Sequence, residues 1–236
     1  METVAIILPS YNEASEIKQR VETLLDYLKG INNYSFTVAV VNDGSKDNTS
    51  EIVNSMEGVH LVEYTPNHGK GYAVRKGLEA YLDHDYIVFM DVDLSTDLSA
   101  LEPLLENLND NDIVIGSRYD KGSKIVIKQP FIRRLVSRIS HVIIKMMFHF
   151  GVKDTQCGFK GYKSEVAKLI VEKSKMDGFS FDVEHLYIAK LRGYKYKSLP
   201  VIWKDDRDSK VKALSSSIKF FKDLFKIKRN KKWYKK

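Results

Sequence analysis

The sequence predicts an α/β fold, a mainly parallel sheet covered by helices on both faces. Three observations lead there. Short apolar runs recur along the N-terminal half, each run ends in a polar or glycine-bearing loop, and the stretches between them carry apolar residues at helical spacing. No internal repeat or low-complexity linker interrupts the pattern.

Val4 to Leu8 is the first run, and Pro9-Ser-Tyr-Asn12-Glu13 then turns the chain into a helix over about Ala14 to Leu28. Ile17, Val21, Leu24, Leu25 and Leu28 mark its buried stripe. Phe36 to Val41 is a second strand, followed by Asn42-Asp43-Gly44-Ser45-Lys-Asp47, where Asp47 or Ser45 caps a helix through Ile52 and Val53. Val59 to Tyr64 is a third strand, and Asn67-His-Gly69-Lys70-Gly71 opens a helix over Tyr72 to Leu82. Tyr86 to Met90 is the fourth. After a helix near Leu98 to Leu108, Asp112-Ile-Val-Ile-Gly116-Ser-Arg118 supplies the fifth.

The fourth strand ends abruptly in Asp91-Val-Asp93. Alternation along a strand predicts both carboxylates on one side, where they repel each other unless one is protonated or a cation lies between them. Oxygen ligands suit Mg²⁺ or Mn²⁺. The plainer alternative is a strand followed by an acidic helix cap at Ser95, Thr96 or Asp97. In open α/β sheets, ligands bind beyond the carboxyl ends of the strands, so all these loops are expected to gather at one edge. Asp43 is then suited to accept hydrogen bonds from a base or ribose, and Gly69-Lys70-Gly71 to approach phosphate at a helix N-terminus. Arg118 offers a forked donor for phosphate. An Asp-Gly turn, a glycine turn and a solvated arginine are the ordinary readings of the same residues.

Composition sets the bounds. A chain of 236 residues, 43% hydrophobic, can bury a substantial core, and a formal charge of +7 favours an anionic partner. The single cysteine, Cys157, excludes an intramolecular disulfide and any multi-cysteine zinc site. The opening residues do not read as a signal peptide, and no run approaches the roughly 18 apolar residues of a spanning helix. No nucleic-acid-binding motif accompanies the basic charge, so nucleic acid is not expected as a partner.

Together, Pro9-Ser-Tyr-Asn-Glu13, Val41-Asn-Asp43-Gly-Ser45, Asn67-His-Gly-Lys-Gly71, Asp91-Val-Asp93 and Gly116-Ser-Arg118 resemble the family 2 glycosyltransferases of GT-A fold. Asp154-Thr-Gln-Cys-Gly-Phe-Lys160 and Phe181-Asp-Val-Glu184 look like the polyprenyl-phosphate branch. The dolichyl-phosphate β-glucosyltransferases resemble them most, with the mannose synthases as near relatives. The resemblance runs from about Val4 to Lys210. It implies a nucleotide-sugar donor, a divalent ion and inversion at the anomeric carbon. Pro9, Tyr11, Glu13, Asp43, Lys70 and Asp91 would bind the nucleotide sugar, and Asp91 and Asp93 the metal. Ser95 stands where a third ligand would be, although Leu94-Ser95-Thr96 departs from the mannose synthase pattern.

Arg118 and Arg133 are expected near the reacting atoms with Asp93. Arg207 and Lys210 would join them on the acceptor phosphate, and Asp182 and Glu184 would position sugar or acceptor, unless they form a structural salt bridge instead. Cys157 reads as a small buried hydrophobe and Asp154 equally well as a turn residue.

Residues 1–214 are expected to form the transferase domain. Within it, Pro130 to Phe150 mixes Arg133, Arg134, Arg138, His141 and Lys145 with apolar residues at helical spacing, a pattern of a helix packed on the sheet with a cationic outer face or, as the resemblance implies, of one lying in a bilayer interface. Residues 215–236 form a basic amphipathic tail, solvated beyond Lys228. These features predict a peripheral enzyme at the cytoplasmic membrane face, with a small membrane-protein partner left open. The alternatives are a GDP-mannose or UDP-N-acetylglucosamine donor, direct transfer to a polysaccharide or protein, and a non-catalytic binding module.

Overall fold

A computed structural model describes residues 1–127, 131–205 and 213–236 of the chain. Strands β1 (Glu2–Ser10), β2 (Tyr34–Asp43), β3 (Val59–Tyr64) and β4 (Tyr86–Met90) come first, separated by helices α1 (Ile17–Leu28), α2 (Thr49–Asn54) and α3 (Lys70–Ala80). A short 3₁₀ turn, Leu98–Ala100, leads into α4 (Leu101–Leu108), and β5 (Ile113–Ser117) follows. Asp97 caps that turn, its side chain accepting from Ser99 N. These elements match the sequence reading, with ends shifted by a few residues, because buried parallel strands are written as nearly continuous apolar runs.

The second half is less legible. It comprises β6 (Lys124–Ile127), α5 (Phe131–Phe148), β7 (Phe159–Lys163), α6 (Ser164–Lys173), α7 (Phe181–Arg192), β8 (Tyr196–Pro200), β9 (Ile202–Lys204), α8 (Ala213–Arg229) and α9 (Lys231–Lys235). The main sheet has the order β3-β2-β1-β4-β7-β5-β8, and β6 pairs with β9 in a small second sheet. The main sheet is parallel except for β7, which runs antiparallel between β4 and β5. Phe-Lys-Gly-Tyr-Lys carries two lysines and a glycine, so no apolar run announces β7. Gly161 is needed there, since a Cβ on it would stand 2.4 Å from Leu104 Cδ2 of α4.

Helices cover both faces. Val4, Ile6 and Leu8 of β1 face the core formed with α1, α2 and α4, while Ala5 and Ile7 face the core formed with α3, α6 and α7. That second core also takes in Phe220, Leu224 and Ile227 of α8 and Tyr234 of α9. The end of the chain is therefore helical and anchored in the core by Tyr234, while the lysines around it beyond Lys228 are solvated. Tyr234 is fully buried, and the Trp233 indole N–H donates to Lys173 O at 3.0 Å.

Helix α5 buries Ile144 and Phe148 but exposes Ile139, Val142 and Met146. Helix α8 likewise exposes Ile218 and Phe225. Among the described residues no helix is long and apolar enough to cross a membrane.

Candidate active site

The carboxylates after β4 sit on a turn rather than on the strand itself. Asp91 N donates to Gly158 O at 2.8 Å, and Leu94 N closes the turn on Asp91 O at 3.1 Å, with Leu94 at φ +50°. Asp93 Oδ1 accepts from Ser95 N at 2.9 Å. The two carboxylates are still brought together, by this turn instead of by strand alternation. Burial, and then the charge of Asp91, raises the Asp93 carboxyl above its ordinary value. Gly158 makes the room: a Cβ there would lie 1.9 Å from Asp91 Oδ2.

A cation already stands against this pair. Lys70, first residue of α3, holds its ammonium 2.5 Å from Asp91 Oδ1. Burial lowers its pKa, but Asp91 and Asp182, with a smaller contribution from Asp93, outweigh that and raise it. Among the described residues no group of three or more His, Cys, Asp or Glu gathers into a metal cage. A pair of hard oxygen ligands beside a lysine fits a Mg²⁺- or Mn²⁺-type ion completed by phosphate oxygens and water. Ser95 is buried, and its backbone serves the turn and β9, with Lys204 N donating to Ser95 O at 2.9 Å.

The loops after β1, β2 and β3 meet beside it. Asn12, at φ +56°, accepts Lys46 N on Oδ1 at 2.8 Å, and its own N–H donates to Ser45 Oγ at 2.9 Å. Glu13 N donates to Thr49 Oγ1, and Glu13 Oε2 accepts from Arg20 at 2.9 Å. Pro9 pairs in register with Val41, and Tyr11 is 40% exposed beyond it. Asp43 is buried and organises the third loop: it accepts from His68 N, Gly69 N and Asn67 Nδ2, each at 2.8 Å. The carboxylate expected to read a base is thus also the clamp for Gly69-Lys70.

Arg118 is committed elsewhere. Its Nε and Nη2 donate to the two oxygens of Asp154 at 2.7 and 3.0 Å, and its backbone N–H adds a third bond at 3.0 Å. Burial alone would raise the Asp154 carboxyl, but Arg118 and His141 hold it well below the usual carboxylate range. The guanidinium also lies over the Trp203 ring, 5.4 Å from its centroid. This fork closes a buried ion pair, so Asp154 is its anchor and no simple turn residue. Burial pushes the adjacent Cys157 thiol up to about 11, in keeping with an inert buried side chain.

A family model, "Glycosyl transferase family 2", matches residues 5–170. This chain belongs to that family. Curated relatives include two dolichyl-phosphate beta-glucosyltransferases of Trichomonas vaginalis. One is 32% identical, over 95% of this chain and 72% of the relative; the other is 34% identical, over 94% and 69%. The human dolichyl-phosphate beta-glucosyltransferase is 29% identical over 95% of this chain and 74% of its own. Among solved structures, glucosyl-3-phosphoglycerate synthase from Mycobacterium tuberculosis, in complex with Mn²⁺, UDP-glucose and glycerol 3-phosphate, superposes with a TM-score of 0.69. That match is 17% identical and covers 96% of this chain and 80% of the other. The expected GT-A fold is the fold observed.

In this family 2 glycosyltransferase the structure gathers Asp91, Asp93, Lys70 and Asp182, and next to them Asp43. It separates Asp182 from Glu184. Phe-Asp-Val-Glu is the start of α7, and positions two apart on a helix point to nearly opposite sides. Asp182 faces the site, 2.5 Å from Lys160 Nζ. Glu184 points into the core, where Lys175 N, Met176 N and the Tyr234 hydroxyl all donate to it.

Lys160 itself was not singled out in the sequence. It is fully buried on β7 and also donates to Cys157 O at 2.5 Å. The available signal was a lone cation between Phe159 and Gly161. Gly158 was equally silent, a glycine inside a recognised motif. The Arg133 side chain, Arg207 and Lys210 lie outside the described residues.

Proposed function

We propose that this enzyme transfers glucose from UDP-glucose to the phosphate of a polyprenyl carrier of the dolichyl type, with inversion, at a membrane surface. The observation that carries the reading is similarity over 95% of the chain to dolichyl-phosphate beta-glucosyltransferases. The site geometry agrees with it. Asp182 lies close enough to the site of Asp91 and Asp93 to interact with Asp91 and Lys70, and Lys160 occupies one of its oxygens. A hydroxyl acceptor requires a free base to take its proton, whereas a lipid phosphate arrives already ionised.

An acceptor phosphate oxygen bonds to the anomeric carbon from one face as the bond to the UDP oxygen breaks on the other. The electron pair leaves with UDP. Asp91 and Asp93 would hold a Mg²⁺ or Mn²⁺ ion, which would supply positive charge to that diphosphate. Lys70 lies within reach of the same phosphates, and Asp43 holds the loop that carries it. Asp182 faces the sugar side of the site, its charge balanced by Lys160. Tyr11, exposed at the end of β1, offers a ring to the base. Arg118 contributes by bracing the 154–158 segment on which Gly158 and Asp91 depend. Arg133, Arg207 and Lys210 complete the proposal as contacts for the acceptor phosphate.

The membrane-facing surface is formed by α5 and α8. Val142 and Met146 are 57% and 63% exposed, Ile218 and Phe225 63% and 66%, and Arg138, Lys145, Lys219, Lys222 and Lys226 lie exposed among them. Apolar and basic side chains on one surface suit the anionic cytoplasmic face of a bilayer. A small membrane-protein partner is the alternative anchor.

The deciding assay offers the enzyme a panel of nucleotide sugars with a short polyprenyl phosphate. UDP-glucose is expected to give the lipid-phosphate-linked sugar. Turnover with GDP-mannose alone would overturn the donor, and transfer without lipid phosphate would overturn the acceptor.

A further inference from the structure

We infer that Glu184 and the C-terminal Tyr234 are positioning residues for the donor diphosphate, acting on Lys70 through the 174–180 segment. This rests on the reading of Lys70 as a donor contact. The Tyr234 hydroxyl donates to Glu184 Oε1 at 2.5 Å. The same carboxylate accepts Met176 N at 2.8 Å and Lys175 N at 3.0 Å, which holds the chain entering α7. The next carbonyl, Asp177 O, accepts Gly71 N at 2.8 Å and Tyr72 N at 3.2 Å. Those are N–H groups of the first turn of α3, which no carbonyl within the helix can satisfy.

The approach is close enough to require both glycines around Lys70. A Cβ on Gly69 would stand 2.6 Å from Asp177 O, and one on Gly71 2.5 Å from Met176 O. Arg75, one turn further along α3, pairs with the Asp177 carboxylate at 2.6 Å. Helix α8 presses on the same segment, Ser180 Oγ donating to Asp223 Oδ2 at 3.2 Å. The segment is thus a wedge between the C-terminal helices and the loop bearing Lys70. Each link is a hydrogen bond to backbone or to a carboxylate, buried at Glu184 and Asp223 and partly exposed at Asp177. A change at Tyr234 therefore shifts the ammonium that meets the diphosphate, while the carboxylates at Asp91 and Asp93 stay in place on the turn after β4.

The test uses the full chain, UDP with Mn²⁺ in calorimetry, and steady-state kinetics with a short polyprenyl phosphate. Tyr234→Phe and Arg75→Met each break one link. Both are expected to weaken UDP binding and raise the donor KM about tenfold, with kcat near wild type, the loss expected of a hydrogen bond to a charged group. Arg192→Met serves as control: it removes the bond from Arg192 to Lys235 O, which holds the same terminal helix by another route. UDP affinity is expected to be unchanged in that variant. Unaltered UDP affinity in both Tyr234→Phe and Arg75→Met overturns the inference, as does an equal loss in Arg192→Met, which would mean general loosening. Lys70→Met separates the two levels. If it leaves UDP binding intact, the reading of Lys70 fails; if it abolishes binding while Tyr234→Phe has no effect, only the positioning role fails.

Discussion

Gly158 and Asp91 occupy each other's space: the hydrogen of Gly158 leaves the room in which the Asp91 carboxylate lies, 1.9 Å from where a Cβ would be. The same glycine accepts Asp91 N on its carbonyl at 2.8 Å. Backbone pairing and side-chain clearance thus place one metal-binding candidate from one residue just ahead of the neighbouring strand β7.

Gly158→Ala is accordingly expected to displace the Asp91 carboxylate. Turnover should fall by about 100-fold or more, with a stability loss of about 1–3 kcal/mol from overpacking. Mn²⁺ affinity in the presence of UDP, read by electron paramagnetic resonance, checks the cause. Wild-type affinity would show that Asp91 has another place to go.

Asp91→Ala and Asp93→Ala are each expected to abolish transfer while the fold survives, since both residues lie on a turn at the sheet edge. Excess chelator should do the same to the wild type. Melting temperature and product formation, measured together, separate loss of site from loss of fold; turnover in both variants would remove the metal assignment.

The helix surface can be tested apart from the donor site. Replacing Arg134, Arg138 and Lys145 with glutamate should weaken binding to anionic vesicles, and Val142→Asn with Phe225→Asn should weaken it further. Added salt should act on the wild type in the same direction, because exposed charges are screened within about 10 Å at 0.1 M. UDP binding by calorimetry is expected to be unaltered. Vesicle binding that survives all these changes would point to a protein anchor.

His185 gives the fold an acid limit. Burial, then Lys160 and Arg75, holds its imidazole down at about 3. In the unfolded chain it protonates near pH 6.5. Between those values the unfolded state binds the extra proton, so stability is complete above about pH 6.5 and declines as the pH falls toward 3. His185→Phe should flatten the slope of unfolding free energy against pH in this window. An unchanged slope would place the acid sensitivity elsewhere.

The first five strands and the loops at their ends could be read from the chain alone. Each strand is a local apolar run, buried on both faces except at the sheet-edge β3, and each loop residue follows directly from the strand that positions it. Asp43, Lys70, Asp91 and Asp93 were found for that reason. Their geometry was not legible: Asp91 and Asp93 meet through a turn closed by Leu94, and Asp43 also clamps the loop beside Lys70.

Tertiary structure decided the rest, because the partners lie far apart in the chain. Lys160 and Asp182 are 22 residues apart, and Glu184 and Tyr234 are 50. Period and spacing describe one element at a time, and cannot report which charges a folded sheet brings together. Thus the fork of Arg118, suited by its chemistry to phosphate, is met by Asp154 in the fold, and the lysine-rich end, exposed at its lysines, is anchored by Tyr234 in the core. The sequence by itself determined the first five strands of the sheet and the gathering of their loops at one edge. Which buried charges balance one another was decided by packing, since a carboxylate or lysine can be taken out of water only where the fold brings it a partner.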